Sequence, residues 1–331
     1  MLVSINFLLI EMSYLRYFMP LVIEAQSRNI ECKMFIRKIS KYTNAYLYND
    51  VLTELKSKCN VGIYDVDRIS EFPSEVTFLL EGSGIEYINY STKKIVLVGT
   101  LDFTVIYDSY IDKVDYVIFP SEFIEKYYGR SNVKNLCIGS PKYDIELDRE
   151  YILKKYGLGQ SKNALIIFPK TEDLLKIDMK GIYNSLHGMG YKIVVKTRGK
   201  DKIPEKFKGD LSLEDFSWFP HSTMELISVA DVIVNFDSAA CKECVMLRSP
   251  FINFSVKTES NRFVCGEIPF KFLYGYDYCI NFEKGFKQST FEDAVNKLIS
   301  NDYDKEFDKS IKTHMHNGSG TSKKILDIVL K

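Results

Sequence analysis

The residues between Val229 and Phe254 have the types and spacing of a phosphate site. An apolar run, Val232 to Phe236, enters Asp237-Ser238-Ala239-Ala240, and a helix-patterned segment follows with Glu243 near its start. Small residues at a strand-to-helix turn let a ligand come close to the backbone. The free N–H groups and positive end of a helix suit a phosphate, so Ser238 and the amides of Ala239 and Ala240 are candidate phosphate contacts, and Asp237 beside them is a candidate nucleotide-binding residue. Glu243, one turn further in, can accept hydrogen bonds from ribose hydroxyls. Arg248-Ser249-Pro250 then turns into a second apolar strand, Phe251 to Phe254. Together these residues predict a nucleotide-diphosphate pocket in an α/β protein. The plainer alternative is a buried βαβ unit with a cap at Asp237 or Ser238.

Other residues offer chemistry of their own. Tyr191-Lys-Ile-Val-Val-Lys196-Thr-Arg198 is a strand that ends in cations. At the carboxyl end of a parallel strand they face the ligand. Arg198 can fork onto phosphate and Lys196 can act as a point charge, unless both are part of the solvated run continued by Lys200 and Lys202. His221 precedes a helix-patterned segment, a position that simple packing at a helix start accounts for. Glu81-Gly82-Ser83-Gly84 closes a predicted strand, which makes Glu81 the candidate general base. Asp65-Val-Asp67 resembles the Asp-x-Asp that binds a divalent metal in GT-A glycosyltransferases, but two-residue matches are frequent and no metal is expected. Cys241 and Cys244 form a CxxC on a predicted helix without a second pair, a pattern of core packing rather than of zinc or redox chemistry.

The elements that must position these residues alternate. Strand-like runs fall at 3–10, 31–36, 60–64, 75–80, 94–98, 115–119 and 134–138, with helix-patterned segments at 12–28, 50–58, 102–111 and 121–128. Pro20 lies inside the first helix and is expected to kink it. The second half repeats the theme, with strands at 164–168, 191–196, 231–236, 250–254 and 277–281 and helices near 174–189, 222–228, 239–248 and 289–300. Alternation of this kind predicts parallel, doubly wound sheets. No repeat at the level of sequence accompanies it. A length of 331 residues suits two domains.

Composition narrows the function classes. Basic and acidic residues balance at 44 each, which leaves no electrostatic footprint for nucleic acid. The apolar run Met1 to Ile10 is too short to span a membrane and lacks a basic leader, so it reads as a buried strand. Seven cysteines without framework spacing point to reduced thiols and a cytoplasmic protein.

The segment around Asp237, Ser238, Glu243 and Pro250 resembles the donor-site motif of GT-B enzymes, closest to the CDP-glycerol glycerophosphotransferase-like family and the UDP-N-acetylglucosamine 2-epimerases. Ala239 departs from it, standing where those families carry Ser or Gly. Gly139-Ser-Pro141-Lys142-Tyr-Asp144 resembles the segment that closes their N-terminal domain, and Asp115 to Glu122 resembles the strand before it. Lys196 matches the Lys of a Lys-x-His-Pro motif whose His-Pro is absent. In the enzymes this chain resembles, the region around His221 borders the nucleotide base, so the resemblance implies a base contact through His221 or its backbone. Asn317-Gly-Ser-Gly-Thr-Ser322 resembles a Gly-x-Gly-x-(Ala/Ser) turn before the last helix, where Ser319 or Thr321 is the expected cap.

The resemblance implies a GT-B architecture, two Rossmann-like domains facing across a crevice. An acceptor domain at 1–144 and a nucleotide-donor domain at 145–331 are expected, with the last helix crossing back. It implies a transferase acting on a CDP- or UDP-linked donor and a glycan or lipid-linked acceptor, at a cell-surface polymer, without cofactor or metal. Peripheral contact with the inner face of a membrane is compatible with such an acceptor. A 2-epimerase would need an Arg near the first strand, where the sequence offers only Glu11 and Arg16. The family's N-terminal His has no counterpart, which keeps a non-catalytic nucleotide- or glycan-binding protein in view.

Overall fold

The computed structural model describes residues 3–37, 55, 59–99, 113–129, 131–159, 161–197, 202–214, 219, 221–256, 271–283, 285–315 and 320–331. The chain divides into two compact units. One comprises Met1–Ile145, Ser217–Phe219 and Thr313–Lys331, the other Glu146–Phe216 and Pro220–Lys312.

The first unit is a seven-stranded parallel sheet of β1 (Ser4–Leu9), β2 (Glu31–Ile36), β3 (Gly62–Asp65), β4 (Val76–Leu80), β5 (Lys93–Leu97), β6 (Tyr116–Phe119) and β7 (Lys134–Cys137). The strand order is β3-β2-β1-β4-β5-β6-β7. Every residue of β1 and β4 is buried, as central strands covered on both faces require. Helix α1 (Leu15–Ser27) buries Leu15, Phe18, Met19 and Val22, at helical spacing, and Pro20 lies within it without ending it. Helix α2 (Glu122–Tyr128) starts at Ser121, whose hydroxyl accepts the Ile124 amide. The segments expected to be helical at 102–111 and, except for Leu55, at 50–58 lie outside the described residues.

The second unit is a six-stranded parallel sheet of β8 (Asn163–Ile167), β9 (Lys192–Lys196), β10 (Leu211–Leu213), β11 (Val232–Asn235), β12 (Phe251–Phe254) and β13 (Cys279–Phe282), in the order β10-β9-β8-β11-β12-β13. Its helices are α3 (Arg149–Tyr156), α4 (Met179–Gly188), α5 (Ser222–Val229), α6 (Ala240–Met246), α7 (Gln288–Ser300) and α8 (Asp304–Ser310). The single helix expected over 174–189 is two elements. A 3₁₀ segment, Thr171–Lys176, precedes α4, and Asp178 starts α4 by accepting the Gly181 amide at 2.9 Å. Buried Glu225 on α5 binds Lys155 and Tyr156 of α3, so that carboxylate is satisfied within the unit.

A π-helical turn, Ile311–Met315, leads to helix α9 (Thr321–Val329), which completes the first unit. Ile325, Leu326 and Val329 join the same apolar core as Leu21, Val22 and Ala25 of α1. Arg28, at the end of α1, reaches Asp327 at 2.7 Å and the Lys323 carbonyl at 3.2 Å. Lys93 donates to the Val329 carbonyl at 2.6 Å, a cation at a helix C-terminus.

The amino end of α9 corrects one expectation. The Ser319 candidate lies outside the described residues, and the Thr321 hydroxyl is not the cap. The Asp144 carboxylate accepts the amides of Gly320, at 3.0 Å, and of Ser322. Thr321 Oγ1 instead donates to the Ile138 carbonyl at 3.2 Å. Two of the four segments that carry the family resemblance therefore meet, and a protein carboxylate holds the amides that an anion would seek there.

Candidate functional site

In a parallel α/β sheet every loop that follows a strand emerges at the same edge. Ligands bind where successive connections leave in opposite directions. The order β10-β9-β8-β11-β12-β13 puts that reversal between β8 and β11, which pair directly from Val232 and Ala164 to Val234 and Ile166. The loops at this point are Phe168 to Thr171 after β8 and Phe236 to Ala240 after β11. The second is the turn picked out by the sequence.

The turn is built from the inside outward. Asp237 is wholly buried and has φ of 46°, a left-handed conformation that a non-glycine residue holds only under constraint. Asn253, at the end of β12, supplies the constraint. Its Oδ1 accepts the Asp237 amide at 3.0 Å, and its Nδ2 donates to Asp237 Oδ1 at 2.9 Å. Asp237 Oδ2 accepts the Val256 amide at 2.7 Å. The buried Tyr274 hydroxyl has its pKa raised well above the usual range, by burial first and then by Cys241 and Asp237 beside it, so it stays protonated. Asp237 thus shapes the turn from within the protein.

Ser238 is half-buried, Ala239 is exposed and Ala240 is buried. Ser238 Oγ accepts the Ala240 amide at 3.4 Å, a long bond that a better acceptor can displace. The amides of Cys241 and Lys242 already bond to the carbonyls of Ser238 and Ala239. The surface offered to a ligand is therefore Ser238, Ala239 and the Ala240 amide. Glu243 is buried in the first turn of α6, on the same turn-and-helix element.

The remaining candidates are placed as follows. Lys196 ends β9 and is buried, with Nζ donating to the Thr197 carbonyl at 2.6 Å. Arg198 lies outside the described residues. His221 is half-buried at the amino end of α5, where its carbonyl accepts the Met224 amide at 2.8 Å. Asp65 ends the edge strand β3 and Asp67 lies in the 3₁₀ segment Val66–Glu71, both in the first unit. Among the described residues no group of three or more His, Cys, Asp or Glu side chains is arranged to hold a metal.

In the first unit the reversal falls between β1 and β4. Glu81 follows β4 at that point, buried, with φ of 56° and its amide bonded to the Leu97 carbonyl at 2.8 Å. Gly84, at φ 92°, holds a conformation in which a side chain would be strained, and a Cβ there would lie 2.8 Å from Ile10 Cδ1. The Tyr17 hydroxyl donates to the Gly99 carbonyl at 2.7 Å. Arg16 and Lys142 lie 5.2 and 5.9 Å from the centre of the Tyr17 ring. Each switch point thus carries an acidic residue in the left-handed region, Glu81 directly after β4 and Asp237 two positions after β11 ends.

Two features went unread in the sequence. The first is the β8 loop, whose place at the switch point follows only from strand order. The second is a short repeat. Ile/Val-Asn-Phe recurs at 234–236, 252–254 and 280–282, closing β12 and β13 and running one residue past β11. Asn235, Asn253 and Asn281 are register partners and hydrogen-bond in series at 2.9 and 2.8 Å. Phe236, Phe254 and Phe282 stack in series, with ring centres 5.5 and 4.9 Å apart.

No protein-family model and no curated protein sequence matches the chain. Solved structures do. Wall teichoic acid polymerase TagF, solved after a soak with CDPG, superposes with a TM-score of 0.71 at 12% identity, covering 99% of this chain and 88% of the other. The UDP-GlcNAc 2-epimerase of Methanocaldococcus jannaschii gives 0.65 at 11% identity, with all of both chains covered. The Neisseria meningitidis 2-epimerase bound to UDP-GlcNAc gives 0.65 at 12%, covering 100% and 99%. Likeness at this identity is one of fold, and the two parallel α/β units of this chain are the GT-B fold of these proteins.

Proposed function

We propose that the protein is a transferase that binds a nucleotide-activated donor, a CDP-polyol or NDP-sugar, at the β8/β11 switch point of the second unit. The observation that carries the reading is the turn itself. Asp237 is locked inside the protein while Ser238 and Ala239 are presented outward at the edge where such sheets bind ligands. In this reading Ser238, the Ala239 and Ala240 amides and the cations Lys196 and Arg198 hold the donor phosphates. Glu243 takes the ribose hydroxyls and the His221 segment borders the base. Asp237 acts by holding the turn.

The chemistry is displacement at phosphorus or at an anomeric carbon, with the departing phosphate stabilised by these donors. The first unit would take the acceptor, a glycan or lipid-linked polyol phosphate of a cell-surface polymer. Glu81, at that unit's switch point, would accept the attacking hydroxyl's proton. Support comes from the fold shared with TagF and from the strained conformation of Glu81. A 2-epimerase reading is favoured by the full mutual coverage with the Methanocaldococcus enzyme. No helix among the described residues is long and apolar enough to cross a membrane.

The test is direct. The purified protein is titrated with UDP and CDP by calorimetry, then incubated with CDP-glycerol and with UDP-GlcNAc. Products are identified by mass spectrometry with and without a polyol-phosphate acceptor. Transfer to acceptor supports the proposal, and conversion of UDP-GlcNAc alone supports the epimerase. Absence of any nucleotide binding overturns both.

A further inference from the structure

We propose that Asn253 is the positioning residue of the nucleotide site, the group that sets the β11–α6 turn in its binding conformation before any ligand arrives. The proposal rests on the reading of that turn as a nucleotide-diphosphate site.

Asn253 is wholly buried, and an unsatisfied amide there would be costly. All four of its hydrogen-bonding positions are filled. Oδ1 accepts from Asn235 Nδ2 and the Asp237 amide, and Nδ2 donates to Asp237 Oδ1 and Asn281 Oδ1. The amide cannot be turned over, because Asp237 N–H must meet an oxygen and the Asp237 carboxylate must meet an N–H. Two bonds thus grip Asp237 by backbone and side chain at once, and they hold it at φ 46°.

The grip has an anchor on each side. Asn235 Nδ2 also reaches the Ser238 carbonyl at 3.3 Å, so the spine touches the ligand-facing residue itself. Asn281 is half-buried and accepts the Ser255 hydroxyl at 3.1 Å, which closes the outer end. The stacked Phe ladder occupies the next position of each strand, hence the opposite face. It resists a slip of β12 that would carry Asn253 away. A one-residue slip would exchange the Asn and Phe faces. Without the grip Asp237 would relax toward an ordinary φ, and Ser238 and Ala239 would leave the positions that meet phosphate.

Asn253→Ala tests this with three readouts. UDP and CDP affinity of the folded variant should fall about ten-fold or more. Amide exchange at Asp237 in the ligand-free protein should become faster. Adding Asp237→Gly, which makes the left-handed turn without strain, should restore part of the lost affinity. A residue needed only for core stability would lower the melting temperature, and the folded fraction would bind as the wild type does. Folded Asn253→Ala with affinity within two-fold of wild type overturns the proposal.

Should that variant not fold, Asn281→Ala loosens the spine from its half-buried end. It should weaken binding roughly three-fold with faster Asp237 exchange; no change in either overturns the proposal. Should the wild type bind neither nucleotide, the nucleotide reading falls. Asp237 exchange then still decides whether Asn253 holds the turn.

Discussion

Ala239→Leu separates a ligand-facing turn from a packed one. Ala239 is exposed at the start of α6, with φ −57° and ψ −13°, a conformation leucine adopts without strain. Leucine and alanine differ by a few tenths of a kcal/mol in helix propensity, and no core contact is lost. Since 1 kcal/mol shifts the melting point of a domain of this size by about 2–4 °C, the change in the apo protein should be ~1 °C. Binding should respond very differently. A leucine side chain would stand over the Ser238 hydroxyl and the Ala240 amide. Each bond to a charged phosphate is worth about 1.5–3 kcal/mol, so losing one weakens affinity about ten- to a hundred-fold. Scanning calorimetry gives the first number and titration calorimetry with UDP and CDP the second. A melting point several degrees lower, with nucleotide affinity retained, would refute the reasoning, because Ala239 would then pack inside the unit and the phosphates would lie elsewhere.

Replacing Glu243 by Ala should weaken nucleotide binding about ten-fold or more through lost ribose contacts, and unchanged affinity in titration calorimetry would leave Glu243 a core-edge residue. Asp144→Ala strips the carboxylate from the Gly320 and Ser322 amides and should cost about 1–2 kcal/mol in urea unfolding while nucleotide affinity stays constant; a loss of affinity would contradict this assignment. Burial pushes the thiols of Cys32 and Cys137 up to about 12 and those of Cys244 and Cys279 well above their ordinary value, so alkylation of the native protein at neutral pH, followed by peptide mass spectrometry, should spare all four. Burial lowers His314 to about 4, so below its ordinary value near 6.5 the unfolded chain binds the proton and the folded one does not. Stability should therefore fall as pH drops from about 6.5 toward 4, and His314→Leu should flatten that part of the profile; identical profiles would exclude the histidine as the cause.

Much of the architecture was legible because buried parallel strands are short apolar runs. Ser4–Leu9, Val76–Leu80 and Asn163–Ile167 read as strands for that reason. The helix Arg149–Tyr156 did not, since Ile152 is its one buried residue and its charged face shows no period. Leu211–Leu213 is too short and too exposed for alternation to register. The Asp237 turn was legible from its small residues. Its support was not, because Asn253 looks like an interruption of an apolar strand until its neighbours are known. Register turns that interruption into a bonded partner of Asn235 and Asn281.

The first unit is closed by α9, which the chain reaches only after the second unit is complete. During synthesis the sheet around β1 would leave the ribosome with the α1 face that takes Ile325, Leu326 and Val329 uncovered. The second unit, drawn from residues 146–312 apart from a short excursion, can fold while that surface waits. Nascent chains halted before Thr321 would therefore hold a protease-sensitive first unit beside a resistant second one.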